Sequence, residues 1–272
     1  MSGSDETSKA TEIFDDLSIF RDWDVDYYPP LALRLYDRSV GDMLDRLEIP
    51  PGGEVLDAGC GPGVHSIRAA KRGLRVRAVD VSETVLAEAR RRAEAAGVAE
   101  AIEFSREDLT RLGLAPASVS RAFSWGVVIH IPEVGLALDG LARVLAPGGR
   151  LALQITNAAA FDHKLERLGR ALLGRSTPVD DVEFGPGAFH GPEGARLWVW
   201  HLDFAAVERH LARQGLVLLE RRAVELTHLQ RRAPRWIRPL LLRLNDLWYR
   251  LGGPPGPAVT NLAIFEKRAP GR

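Results

Sequence analysis

One cysteine, Cys60, stands in 272 residues, which excludes internal disulfides and fits a reducing compartment. The chain also lacks net charge: lysine plus arginine and aspartate plus glutamate number 36 each, so no global field gathers nucleic acid or an anionic membrane. No apolar run approaches the roughly 18 residues of a spanning segment, and no basic start leads into an apolar signal core. A cytoplasmic protein without a membrane span is expected. His65, His163, His190, His201, His210 and His228 show no metal-like spacing with acids or cysteine, so no metal site is read. Internal repeats are missing too.

Charge does vary locally. Residues 1–26 hold eight acids against Lys9 and Arg21, a balance of −6, while residues 221–250 hold eight arginines against Glu225 and Asp246, a balance of +6. Residues 1–10 are polar and read as a frayed end. From Thr11 to Leu47 two helices are expected, broken at "YYPP" (27–30), because proline disfavours helix in the residue before it. The second carries Leu31, Leu35, Val40, Met43, Leu44 and Leu47 as a buried stripe, and "PPGG" (50–53) is a linker.

Strands and helices then alternate. "EVLDAG" is a strand followed by a helix over 64–72; "RVRAVD" (75–80) is a strand followed by a helix over 82–96. "IEFSRED" (102–108) and "SRAFSW" (120–125) follow, then a helix near 133–145 and a turn and strand in "APGGRLALQIT" (146–156). After an irregular stretch come a helix (203–215) and two strands, "LVLLERR" and "TNLAIFEKR". This alternation predicts a mostly parallel sheet with helices on both faces.

The stretch "VLDAGCGPG" (55–63) bans side chains at alternate positions. In a strand–loop–helix unit the helix start offers unpaired N–H groups at the carboxyl edge of the sheet, and glycine lets backbone approach a ligand there. The dinucleotide pattern G-x-G-x-x-G fits poorly, since its sixth position is Val64 and Gly63 comes one place early. The acid-x-Gly-x-Gly-x-Gly pattern for S-adenosylmethionine is met by Asp57, Gly59, Gly61 and Gly63, with Cys60 a small spacer. Asp80 ends the second strand, where a carboxylate can accept both ribose hydroxyls, and Asp108 ends the third, where an acid can accept from adenine. Each aspartate can instead cap the helix that follows it.

With these residues in place the chain resembles the class I S-adenosylmethionine-dependent methyltransferases, from about Glu54 to Gln154 with all motifs and more loosely to the last strand. "VLDAGCGPG" resembles the family's first motif, and "AVDVS", with Asp80 and Val81, its ribose-binding strand. "REDL", with Asp108 and Leu109, resembles the adenine turn, and "FSWGVVIHIPE", with Ser124 and Trp125, the segment flanking the sulfonium. "LAPGGRLAL" resembles the turn into strand five. The resemblance implies an α/β Rossmann-like, doubly wound, seven-stranded sheet whose antiparallel last strand lies beside the fifth. It further implies S-adenosyl-L-methionine as cofactor, S-adenosyl-L-homocysteine as product, and no metal. An N-terminal helical lid (1–50) is expected before the methyltransferase domain (51–272), with cap insertions at about 157–200 and 225–257.

A sulfonium methyl is already activated, so catalysis rests mainly on alignment and exclusion of water. An amine, hydroxyl or acidic carbon as acceptor also needs a base. His130, a few residues past strand four, is the candidate, with hydrogen bonding to a neighbouring turn as the structural alternative. Tyr27 and Tyr28 precede "PP" in the lid. A lid tyrosine paired with such a histidine is similar to the dyad of phosphobase methyltransferases, and only the dyad carries over, not the substrate. No acid-Pro-Pro-aromatic clamp follows strand four, which argues against nucleic-acid base amines, and one cysteine excludes arsenic chemistry.

Tyr27, Tyr28, Phe161, Phe184, Phe189, Trp198, Trp200, Trp236 and Trp248 fall in the lid and caps and suggest a small, partly apolar substrate. Methyl transfer to O, N or C in secondary-metabolite biosynthesis is the leading expectation. A lipid or quinone methyltransferase at the membrane surface, and an NAD(P)-binding oxidoreductase or non-catalytic nucleotide-binding module, are the alternatives. In "RWIRPLLLRLNDLWYRLGG" (235–253) Ile237, Leu240, Leu241, Leu244, Leu247, Trp248 and Leu251 recur at helical spacing beside a basic flank. A lid that buries this stripe over the substrate is the favoured reading. Peripheral membrane contact through 231–251 and a homodimer interface are the other two.

Overall fold

In a computed structural model, residues 30–172, 183–190 and 197–269 are described. Tyr27, Tyr28 and the first expected helix lie outside them.

Helix α1 (Pro30–Arg46) starts on a proline, which has no N–H to lose at a helix start. It leads to β1 (Glu54–Ala58), α2 (Val64–Lys71), β2 (Arg75–Asp80), α3 (Glu83–Ala95), β3 (Ile102–Arg106) and β4 (Val119–Trp125). Then come α4 (Val134–Val144), β5 (Leu145–Thr156), α5 (Phe161–Leu172), a hairpin of β6 (Gly187–His190) and β7 (Leu197–Trp200), and α6 (Phe204–Arg213). The chain continues through β8 (Leu216–Glu225), α7 (Arg238–Arg250) and β9 (Thr260–Lys267).

Seven strands form one sheet in the order β3-β2-β1-β4-β5-β9-β8. Strands β1 to β5 pair in parallel, and β9 runs antiparallel to both β5 and β8. The doubly wound expectation, with an antiparallel strand beside the fifth, is met. The short β6–β7 ladder is a separate antiparallel pair within the stretch expected to be irregular.

Alternate strand residues supply two cores. On one face Leu56, Ala122, Leu151, Leu153 and Phe265 pack against α4 and α6 through Leu138, Leu141, Val207 and Leu211. On the other, Val55, Val76, Phe123, Ala152 and Ile264 meet α1 and the helices α2 and α3 through Val40, Met43, Ala69 and Leu86. The chain order reverses between β1 and β4, and crevices at such switch points hold ligands in open α/β sheets.

One expectation fails. The leucine stripe of 235–253 does not bury itself: Leu240, Leu244, Leu247 and Leu251 are exposed, and Trp236 is 80% exposed. The buried face is Leu242, Asn245 and Tyr249. Hydrogen bonds select it, since Asn245 bridges both the N–H and the carbonyl of Thr227, and Tyr249 donates to Asp42 on α1 at 2.6 Å. Arg38 of α1 also pairs with Asp246. Helix α7 therefore buttresses α1 and the end of β8, and Pro239 sits harmlessly in its first turn. Among the described residues, no helix is long and apolar enough to cross a membrane.

Candidate cofactor and substrate site

A cavity of about 790 Å³ runs along the carboxyl edge of the sheet. That volume lies in the upper part of the range for small-ligand pockets, roughly 300–1,000 Å³. Strand ends build its floor from one side to the other: Asp108 after β3, Asp80 on β2, Gly59 after β1, Trp125 on β4, Thr156 on β5, Thr260 on β9 and Glu225 on β8.

The glycine loop forms the first wall. Gly59 has φ of 85°, and a Cβ there would meet the Val127 side chain at 2.3 Å, so its bareness serves packing. Gly61 differs. Its φ is 53° and a Cβ would meet nothing within 4 Å, because it would project into open space beside the cavity. This is a backbone cradle that a side chain would fill.

Asp80 braces the cradle by accepting from Gly61 N–H at 2.9 Å and Ser82 N–H at 3.1 Å, one on each carboxylate oxygen. The carboxylate also lines the cavity. Capping of α3 falls to Ser82, whose hydroxyl accepts from Val85 N–H. Asp108 does cap the turn at Leu109–Arg111, with Oδ1 accepting from Thr110 N–H and its hydroxyl at 2.8 Å each. Asp108 also lines the cavity. Val81, Leu109, Cys60 and Trp125 line the same space. Burial, with Asp57 and Asp80 nearby, pushes the Cys60 thiol up and makes it inert.

Three candidates are placed behind the wall. Asp57 is buried and accepts from Ser66 at 2.6 Å; burial pushes its carboxyl up to about 7. Ser124 donates to the Ala58 carbonyl and ties β4 to β1. Gly63 precedes α2 and lets it approach α3, where a Cβ would lie 3.1 Å from that of Ala89. Among the described residues these three hold the loop without facing the cavity.

His130 ends a helical turn at Val128–His130 and lines the cavity. Its Nδ1 lies 2.9 Å from the Trp198 carbonyl. A carbonyl can only accept, so Nδ1 donates to it, and a neutral ring carries its lone pair on Nε2. The β6–β7 hairpin thus orients this ring, and Trp200 Nε1 reinforces the contact by donating to the Ile131 carbonyl.

Several lining residues escaped the sequence reading. Tyr36 on α1 is the described tyrosine at the cavity, donating to Glu225 at 3.4 Å and packing edge-on to Trp125. His65 sits beside Trp125, pushed down to about 3 by burial and Arg68. His163, His201 and His228 reach the far end from the segments that follow β5 and β8. Those segments are the ones expected above the crevice, and the spacing of their histidines in the sequence carries no sign that they meet. Among the described residues, no group of three or more His, Cys, Asp or Glu is placed to hold a metal ion.

Residues 55–149 match the family model of a methyltransferase domain. The chain is similar to the methyltransferase GfsG of Streptomyces halstedii, at 35% identity over 43% of this chain and 42% of that one. It is similar to the S-adenosyl-L-methionine-dependent Diels-Alderase iccD of Talaromyces variabilis, at 37% identity over 47% of this chain and 46% of that one. The chain spans under half the length of these curated relatives. A solved geranyl diphosphate C-methyltransferase of Streptomyces coelicolor, held with Mg2+, geranyl diphosphate and S-adenosyl-L-homocysteine, shares the fold at TM-score 0.58 and 16% identity, over 88% of this chain and 82% of that one.

Proposed function

We propose, from the match of residues 55–149 to a methyltransferase domain and the similarity to a Streptomyces methyltransferase, that the chain is a class I S-adenosylmethionine-dependent methyltransferase and moves a sulfonium methyl onto an oxygen, nitrogen or carbon of a small, partly apolar molecule, as in secondary-metabolite biosynthesis. One observation carries the reading. A single cavity joins the open glycine cradle with Asp80 and Asp108 at one end to an apolar chamber with His130 on its wall.

When bound, S-adenosylmethionine supplies a methyl group already activated by its neutral thioether leaving group. The Gly59–Gly61 backbone, Asp80 and Asp108 hold that molecule. Trp125, Ile129, Ile131, Val127 and Val199 line the chamber and exclude water from the reacting centre. An acceptor X–H placed there loses its proton to Nε2 of His130, whose imidazolium is then held by the Trp198 carbonyl. Holding both reactants in line supplies most of the rate, and the base adds about 10²–10⁴-fold. Residues 1–50, with Tyr27 and Tyr28, act in this reading as a lid, and 157–200 and 225–257 as caps.

A second reading has one observation in its favour, the similarity to a Diels-Alderase that depends on S-adenosyl-L-methionine. Here the bound molecule shapes the chamber and its methyl stays in place. Titration calorimetry with S-adenosylhomocysteine and with NADH tests the cofactor: the first binds and the second does not. Incubation with acceptor libraries and methyl-labelled S-adenosylmethionine separates the two activities. Products gaining one labelled methyl support transfer, and rearranged products of unchanged mass support the second reading. NADH binding without S-adenosylhomocysteine binding overturns both.

A further inference from the structure

At the end of the cavity remote from the glycine loop, imidazoles gather. Asp162, in the first turn of α5, accepts from the Thr227 hydroxyl at 2.9 Å and from His228 N–H at 2.7 Å. That clamp joins the end of β8 to α5 and brings His163 beside His228. Glu225 is 3% exposed; its Oε2 lies 3.0 Å from His228 Nε2, and Tyr36 donates to its Oε1. His228 and Arg231 hold the Glu225 carboxyl below the usual carboxylate range against the opposing effect of burial. An ionised carboxylate only accepts, so Nε2 of His228 carries the proton and its Nδ1 carries the lone pair. The Arg231 guanidinium, 3.2 Å from Nε2, is then an electrostatic neighbour.

His163 stacks on His201 with ring centroids 3.6 Å apart. Both its ring nitrogens are buried and, among the described residues, bond to nothing in the protein. Burial, reinforced by His228, Arg167 and Arg232, pushes it down to about 4, so it is neutral at physiological pH with one donor and one acceptor. A buried polar group left in this state costs about 1–3 kcal/mol, which a fold keeps only where something repays it.

We infer that this imidazole cluster is a subsite for a neutral hydroxyl-bearing group, a sugar or polyol end, of a substrate whose remaining body is apolar. The inference rests on the methyl-transfer reading for its biological sense. A hydroxyl both donates and accepts, as the two ring nitrogens of His163 require, and it can donate to the Nδ1 lone pair of His228. An anion meets three carboxyl groups, Asp162, Glu166 and Glu225, against two guanidiniums, Arg231 and Arg232, along the same wall. A cation meets those guanidiniums and offers nothing to the lone donor of His163. Leu165, Leu197, Val199, Leu229 and Val259 line the rest of this end and suit the apolar body.

The test is titration calorimetry of the full chain saturated with S-adenosylhomocysteine, using hexyl glucoside as probe and hexanoate and hexylamine as acidic and basic comparators. Hexyl glucoside binds most tightly of the three. His163→Phe weakens it at least tenfold with S-adenosylhomocysteine affinity unchanged, and His163→Asn, which keeps a donor and an acceptor, restores most of it. His163→Phe also raises the melting temperature of the unliganded protein by roughly 2–12 °C, because the unsatisfied ring is gone. If that variant does not fold, His228→Leu reads the same site. Preference for hexanoate or hexylamine, or glucoside binding indifferent to these substitutions, overturns the inference. Failure of S-adenosylhomocysteine to bind overturns the cofactor reading instead, and the glucoside result is then read on the protein alone.

Discussion

Replacing Gly59 and Gly61 with alanine, one at a time, should damage different things. Both have positive φ, 85° and 53°, and an alanine held in the left-handed region costs about 1–2 kcal/mol. At Gly61 that is the whole structural cost, since the new methyl meets nothing within 4 Å. At Gly59 the methyl would lie 2.3 Å from a Val127 methyl, and valine has little freedom to turn away. Overpacking of this kind adds about 1–3 kcal/mol, for a total of roughly 2–5 kcal/mol. At about 2–4 °C per kcal/mol, Gly61→Ala lowers the melting temperature by roughly 2–8 °C and Gly59→Ala by roughly twice that. Affinity should run the other way around. The Gly61 methyl enters the cradle and weakens S-adenosylhomocysteine at least tenfold, about 1.4 kcal/mol, in a protein that is still folded. Thermal melts and titration calorimetry on the two variants give both quantities. Parental affinity in Gly61→Ala, or a Gly59→Ala protein that melts no lower than Gly61→Ala, refutes the division between packing glycine and ligand glycine.

Asp80→Ala removes the acceptor of two backbone N–H groups and, in the proposed reading, of the ribose hydroxyls, and charge-assisted bonds of this kind are worth about 1.5–3 kcal/mol each; S-adenosylhomocysteine affinity should drop at least tenfold by calorimetry, and unchanged affinity removes Asp80 from the site. His130→Gln should lower turnover by roughly a hundredfold, spare cofactor affinity, and delete an inflection from the pH–rate profile. Near-normal turnover returns His130 to holding the β6–β7 hairpin. Asp57 has a folded pKa of about 7, above its unfolded value, so its stabilising protonated form is fully present below pH about 4 and is lost as pH rises through 7. Asp57→Asn, which can still accept from Ser66, should match the parent below pH about 4 but melt higher at pH 8, with the burial cost of the carboxylate (about 4 kcal/mol at most) removed. Parallel melting curves across that range would show that burial does not hold Asp57 protonated.

The sheet and the glycine loop at its carboxyl edge were readable because each depends on local pattern. "EVLDAGCGPG" names its own strand, turn and helix start, and Asp80 and Asp108 follow strands that their β-branched and apolar residues predict. The leucines of 235–253 show where such pattern stops. Spacing finds a helix there, yet cannot say which face gets a partner, and the buried hydrogen bonds of Asn245 and Tyr249 outweighed the stripe. The far end of the cavity was illegible for a related reason. Glu225 and His228 are three residues apart, but Tyr36, Asp162 and His163 join them only through the packing of α1, α5 and β8, and no spacing in the chain records that. Tyr27 and Tyr28 lie outside the described residues, and Tyr36 lines the cavity from α1.

The antiparallel strand β9 sits between β5 and β8, although both precede it in the chain. During synthesis the sheet therefore cannot close in order. When β8 has left the ribosome it has no strand to pair with, and β5 presents an open edge, until residues 260–267 emerge and fill the slot with ladders on both sides. Until then Glu225 lacks Thr260, whose hydroxyl lies 3.4 Å from its carboxylate, and the wall bearing His228 has nothing to lean on. The nascent chain spends that interval with two unpaired strand edges, the state in which sheets capture one another. A ribosome stall before codon 260 would thus release a chain that carries the glycine cradle in full, no finished chamber, and a ready seed for aggregation.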